Sequence, residues 1–198
     1  MEKINEINKI KKIIRIIMLV VIALIAIYAI FVAIPSKKNK DEGIENINNK
    51  YILYKRDSSL YKENFEKLRT ILETSPVDNK EYAETIVKLF VIDFYTLDNK
   101  NDNTDIGGLQ YVHSNLKDNL VLNASSTMYK YIKTTKELPK VKSITSVDTR
   151  ETTYKINDKD YSAYAITINW EYDKDLGYEK QGTFIVVNDN GNLSIVEK

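Results

Sequence analysis

The sequence predicts an α+β fold: an N-terminal transmembrane helix, then three helices packed on a curved, cone-like four-stranded antiparallel sheet. Three observations predict it. A run of nineteen residues without a charge, Ile16 to Ile34, stands near the N-terminus. Between Asp57 and Thr134 apolar residues recur at helical spacing. After Pro139 the period changes to two, with turn residues between the segments.

The uncharged run would span about 28 Å as a helix, close to the roughly 30 Å hydrocarbon core of a bilayer. A helix satisfies its own backbone groups, as lipid requires. Tyr28 and Phe31 sit toward the far end, where aromatic rings favour the interface, and Pro35 ends the run. A cleaved secretion signal has a shorter apolar stretch and a small-residue cleavage site. Ala33-Ile34-Pro35 makes a poor site, so the segment is expected to be retained. Lys9, Lys11, Lys12 and Arg15 precede it and favour a cytoplasmic N-terminus. The expected organisation is a cytoplasmic segment 1–12, a transmembrane helix 13–35, a polar linker 36–56 and a soluble extracytoplasmic α+β domain 57–198.

Within that domain Asp57-Ser58-Ser59 offers helix caps, followed by Leu60, Phe65, Leu68, Ile71 and Leu72 on one face. Ser75-Pro76 closes this first helix, and Asp78 or Asn79 caps a second. Tyr82, Ala83, Ile86, Phe90, Phe94 and Leu97 give the second a core face, widened by Val87, Leu89, Val91 and Ile92, so it is expected to be central. After a polar loop and the Gly107-Gly108 bend, a third helical stretch is expected over about 109–134. Strands are expected over 141–154, 160–173, 180–187 and 193–197. In the second of these Tyr164, Ile166, Ile168, Trp170 and Tyr172 share a face. Asn157-Asp158 and Asn190-Gly191 mark turns, the latter a tight hairpin.

Composition excludes several functions. Residues 1–35 hold five Lys/Arg and two Asp/Glu, leaving 24 against 26 in the remainder. A near-neutral, slightly acidic domain gives no electrostatic drive toward nucleic acid. With no cysteine there is no disulfide, thiol nucleophile or cysteine-bound zinc. His113 is the one histidine, with no evident partner for base catalysis. Asp98, Asp102 and Asp105 lie in one loop, but a calcium loop starting at Asp98 would put Lys100 at its third position and Asn103 at its sixth. A solvated turn accounts for them. No phosphate-binding glycine loop, hydrolase elbow or zinc-protease motif is present. No catalytic residue, cofactor or metal ligand is therefore assigned.

Fourteen tyrosines remain. Tyr and Trp bring large contact area at small entropy cost, which suits interfaces; they equally fill the core of a small curved sheet. Tyr111, Tyr161, Tyr164, Trp170 and Tyr172 are the candidate interaction surface.

The order of anchor, linker, helices and four-stranded meander, with the segments FVIDFYTLDNK at 90–100 and DIGGLQYV at 105–112, resembles the nuclear-transport-factor-2-like (cystatin-like) cone fold. It is similar to membrane-anchored members of that fold, the bitopic scaffold component of type IV secretion systems and its Gram-positive conjugation counterparts. The resemblance implies a non-enzymatic scaffold or assembly subunit of a cell-envelope complex, one for conjugative DNA transfer. It would sit in the cell membrane as a homo-oligomer contacting other secretion-complex proteins, with no direct nucleic acid and no small-molecule substrate. The same fold also hosts enzymes and ligand-binding domains with an open cone, so an extracytoplasmic ligand-binding or enzymatic domain is the alternative.

Overall fold

The computed structural model describes residues 43–197. Segments 1–12 and 13–35, and the start of the expected linker, lie outside the described residues. The expectation of a fold opened by a transmembrane helix is corrected. Among the described residues no helix is long and apolar enough to cross a membrane, and the described fold opens with a β-hairpin.

That hairpin, β1 (Gly43–Ile47) and β2 (Tyr51–Tyr54), occupies residues that read as linker. Asn48 and Asn49 turn it at φ 51° and 56°, a conformation asparagine tolerates better than most residues. The Lys50 N–H closes the turn on the Ile47 carbonyl at 3.0 Å. Its buried side chains, Ile47, Tyr51 and Leu53, join the main core.

Helix α1 (Ser59–Glu73) starts where Ser58 accepts the Tyr61 N–H at 3.1 Å. Tyr61, Phe65, Leu68 and Ile71 form its buried stripe and pack on α2. Helix α2 (Asn79–Tyr95) starts at Asp78, whose carboxylate accepts the Lys80 and Glu81 N–H groups, each at 3.0 Å. Buried residues lie on nearly every side of α2, as a helix between α1 and a sheet requires. A single 3-10 turn at Leu109–Tyr111 then leads to α3 (Ser114–Ser126). The expected third helix is thus shorter at both ends.

Strands β3 (Val141–Ile156), β4 (Lys159–Tyr172), β5 (Gln181–Asp189) and β6 (Asn192–Glu197) form an antiparallel meander in sequence order. Two tight turns set the register: Asn157 and Asp158 at φ 48° and 62°, and Asn190 and Gly191 at 53° and 85°. With Ile166 opposite Phe184 and Tyr164 opposite Val186, one sheet face carries Ile166, Ile168, Trp170, Phe184, Val186, Leu193 and Ile195. This face meets α2. On β4 the alternation also leaves Ala163 buried on the other face, in a small cluster with Val187 and Val196. Val112 bridges Ile195 in parallel, and the His113 N–H donates to the Ile195 carbonyl at 2.9 Å. The chain entering α3 thereby covers part of the β6 edge, which would otherwise present open backbone groups.

Candidate functional site: an apolar cavity beside the sheet

A half-open cavity of about 390 Å³ lies among α2, α3, strands β5 and β6, and the 173–180 loop. Local sequence spacing builds each wall. Phe90 and Phe94 are one turn apart on α2 and stack at 5.0 Å between ring centroids. Phe184 of β5 meets Phe90 edge-on at 5.6 Å. Leu116, Leu120 and Ala124 repeat every four residues along α3 and form the opposite wall. Of the α3 side chains only Ala124 is buried. The helix leans over the apolar floor without filling it, and the space remains.

Polar groups stand toward the loop side. The Tyr95 hydroxyl donates to Glu179 Oε2 at 3.2 Å, and the Tyr172 hydroxyl donates to the Glu179 carbonyl at 2.9 Å. These two bonds tie the 173–180 loop to the core. Burial, and then the charge of Glu179, push the Tyr95 hydroxyl well above the ordinary tyrosine range. Burial pushes Tyr172 up to about 12. Both hydroxyls are neutral donors at physiological pH.

A second polar constellation lies where the first hairpin meets α1, α2 and the 3-10 turn. The Tyr61 and Tyr111 hydroxyls are 2.5 Å apart, and the Tyr51 and Tyr82 hydroxyls 2.6 Å. Gln110 braces β2 by accepting from the Ile52 N–H at 2.8 Å and donating to its carbonyl at 3.1 Å. The same amide donates to the Tyr61 hydroxyl at 2.7 Å. Desolvation holds Tyr61 and Tyr111 well above the usual range. Lys50 reaches the Tyr82 hydroxyl at 3.1 Å, the Leu193 carbonyl at 3.3 Å and Asn192 Oδ1. Its amine joins the first hairpin to the last. Burial, then the charge of Lys117, lower it to about 8.

The acidic loop and its neighbours are occupied by structural bonds. Arg56 holds Asp105 with both terminal nitrogens, Nη2 to Oδ1 at 2.8 Å. Burial would raise the Asp105 carboxyl, but the Arg56 bond and the Asn101 N–H overcome this and hold it below the usual range. Lys100 pairs with Asp93, whose other oxygen accepts the Gly108 N–H at 2.6 Å. Asp102 closes its own turn on Thr104 N–H at 2.8 Å. Asp57 accepts the Tyr54 N–H at 2.6 Å, and burial raises its carboxyl to about 6. Among the described residues no group of three or more His, Cys, Asp or Glu is placed to hold a metal ion. His113 caps α3: its Nδ1 accepts the Asn115 N–H at 3.3 Å, which puts any neutral-ring proton on Nε2.

The candidate interaction residues fall in different places. Tyr111 and Trp170 are buried to 1% exposure and Tyr172 to 8%. Tyr111 belongs to the hydroxyl network, and Trp170 lies 4.6 Å from the Tyr95 ring. Tyr161 and Tyr164 are half-buried on opposite sheet faces, Tyr161 beside the small outer cluster. The five therefore form no common surface. Among the described residues the exposed large apolar side chains are Ile44, Leu122 and Tyr131. The cavity escaped sequence reasoning because Phe90, Phe94, Leu116 and Leu120 carry the same spacing as filled core positions.

The fold and site define an α+β domain, three helices with a four-stranded meander and an added hairpin, that keeps an apolar cavity half-open at one side. Comparison with family models, curated proteins and solved structures finds no match for this chain.

Proposed function

We infer that this protein is a non-enzymatic binding subunit of a cell-envelope assembly, with its α+β domain displayed outside the cytoplasm. The single observation that carries the binding reading is the apolar cavity of about 390 Å³. That volume falls within the ~300–1,000 Å³ of small binding sites, which are mostly apolar with a few polar groups at the edge. The carboxylates in its lining are Glu179, which accepts the Tyr95 hydroxyl, and Glu197 at the end of β6. Location at a cell membrane is supported by the uncharged run Ile16 to Ile34 and the basic residues before it. Conjugative DNA transfer is the assembly to which the resemblance of segments 90–100 and 105–112 points. Confinement at a membrane raises the effective concentration of a subunit for its partners.

The same cavity favours a second reading, an extracytoplasmic domain that binds a small apolar ligand. One experiment tests both. A photo-crosslinking residue is placed at Asn123 or Thr127 on the cavity edge, and separately at exposed Thr152 on β3, in the full-length chain in its native membrane. Crosslinks to another copy or to a neighbouring secretion protein from the cavity edge alone support the assembly subunit. Protection of the edge by small apolar compounds, without protein crosslinks, supports the ligand-binding domain. Identical patterns from both positions defeat the cavity as the binding point.

A further inference from the structure

We propose that the free edge of β3 docks on the same edge of a second copy of this chain, the two strands running antiparallel about a two-fold axis at Thr149. This goes beyond the cavity reading and does not depend on it. In the sheet order β3 stands at one end, and among the described residues β4 is its one strand partner. With sixteen residues it is the longest described strand, and it contains no proline. A long unpaired edge is a template for further pairing. The register says which backbone groups are open. Pairing runs without a slip from Ser146 opposite Asn169 to Ile156 opposite Lys159, where the Asn157-Asp158 turn closes it. The closing pair of a two-residue turn exchanges both backbone bonds, and bonded pairs then alternate along the ladder. Even-numbered residues of β3 therefore direct their N–H and C=O groups to β4, while Val147, Thr149, Glu151 and Thr153 turn theirs outward. The next ladder agrees. The Trp170 N–H donates to the Lys180 carbonyl at 2.9 Å, so even-numbered β4 residues face β5 and odd-numbered ones face β3.

The side chains choose the partner. Asp148 and Arg150 are exposed on the outer sheet face, with uncharged Thr167 and Ala165 opposite them on β4. Outward groups must meet outward groups, so the axis falls on a residue position. With the axis at Thr149, Asp148 lies opposite Arg150 of the second copy, and Arg150 opposite its Asp148. Opposed unlike charges stabilise a strand pair, and opposed like charges destabilise it. Moving the axis by one residue opposes Asp148 to Asp148 or Arg150 to Arg150; two residues toward the turn, it opposes Glu151 to Glu151. Edge charges ordinarily keep strands apart, but this pair complements its own reverse. An axis at Thr153 would oppose Glu151 to Lys155. There Tyr154 and Ile156 share a hollow with His113 and Asn115 at the start of α3, which crowds that end of the edge.

The chain has no cysteine, so single-cysteine variants of the full-length protein, oxidised in the native membrane and run on a non-reducing gel, read the register. Residues at a bonded antiparallel pair have Cα atoms about 5.5 Å apart, inside the roughly 4.4–6.8 Å that a disulfide spans. Val147→Cys and Glu151→Cys instead place each thiol about 14 Å from its copy. Thr149→Cys is expected to give at least about fivefold more crosslinked dimer than either. On the Thr149→Cys background, Asp148→Arg and Arg150→Asp are each expected to lower the dimer yield about threefold, and the two together to restore it. Should Thr149→Cys fail to fold, sedimentation of the cysteine-free charge variants in detergent reads the same loss and rescue. Equal crosslinking from the three positions, crosslinking through Thr153→Cys instead, or charge reversals without loss and rescue overturns the proposal. Photo-crosslinks from Thr152, on this same strand, join copies through β3, whereas products seen from Asn123 or Thr127 alone report the cavity, so the two readings fail separately.

Discussion

Gly107 tests the packing argument most severely, because its neighbour is backbone. A Cβ at Gly107 would lie 2.4 Å from the Asp93 carbonyl oxygen, 2.6 Å from the carbonyl carbon and 2.8 Å from Asp93 Cγ. Unstrained contacts lie near ~3.5–4.0 Å, so Gly107→Ala forces the loop to retreat from α2 by about 1 Å. Two bonds hang on that approach. The Gly107 N–H donates to the Tyr129 hydroxyl at 3.2 Å, and the Gly108 N–H donates to Asp93 Oδ2 at 2.6 Å. Overpacking costs about 1–3 kcal/mol, and a lost bond to a charged group a further ~1.5–3 kcal/mol. The expected loss is about 3 kcal/mol, a large share of a typical ~5–15 kcal/mol stability. The assay is urea unfolding of the full-length chain followed by Trp170 fluorescence, with the midpoint shifted and the slope preserved. Gly191→Ala is the comparison. It has φ +85° and nothing within 4 Å of its added Cβ, so it incurs left-handed strain alone, ~1–2 kcal/mol. A Gly107→Ala loss below about 0.5 kcal/mol, or below that of Gly191→Ala, refutes the close-approach argument.

Asp57 is raised to about 6 by burial, so its protonated form is favoured in the folded state. The stability this contributes is present below the ordinary value of 3.8 and lost as pH rises through about 6. Asp57→Asn is expected to flatten thermal stability across that window and to leave the protein at neutral pH equally stable or stabilised by about 1 kcal/mol. Lys50, lowered to about 8, has the opposite sign: the folded state binds fewer protons between pH 8 and 10.5, so wild-type stability rises with pH from 8. Lys50→Met is expected to weaken that rise in denaturation curves at pH 7, 8 and 9.5. Tyr61→Phe and Tyr111→Phe each break the 2.5 Å hydroxyl contact, at about 1–2 kcal/mol apiece. Because they share one bond and one Gln110 amide, the double variant should lose less than the sum, as a double-mutant cycle would measure.

Local chemistry made much of this fold legible. Ser58, from the Asp57-Ser58-Ser59 triplet, caps α1, Asp78 rather than Asn79 caps α2, and Asn157-Asp158 and Asn190-Gly191 turn the hairpins they mark. In each case one side chain or one φ angle decides the outcome within a few residues. What depended on packing at a distance was not legible. The β1–β2 hairpin was hidden because four of the five β1 residues are exposed, leaving no alternation to read. The third helix stops at Ser126 because Thr127, at φ −120° and ψ −98°, leaves the helical region, although apolar spacing continues to Ile132. Period two placed Trp170 and Tyr172 on one face of β4 correctly. α2 covers that face, so these rings serve the core.

Six of the buried tyrosines separate into two uses by where their hydroxyls end. Tyr51, Tyr61, Tyr82 and Tyr111 end on one another, Gln110 and Lys50. Burying four phenols there is tolerable because each donor and acceptor finds a partner. Tyr95 and Tyr172 end instead on the 173–180 loop that borders the cavity. Loosening that loop would expose the apolar floor beneath it, so the two hydroxyls act on the cavity through its wall. Replacing either by Phe removes a loop tether while keeping the ring. The effect should therefore fall on ligand retention before it falls on folding: faster dissociation of small apolar compounds, with an unfolding midpoint close to wild type. If both phenylalanine variants release such compounds at the wild-type rate, the loop is held by its other contacts and the hydroxyls matter only to the core.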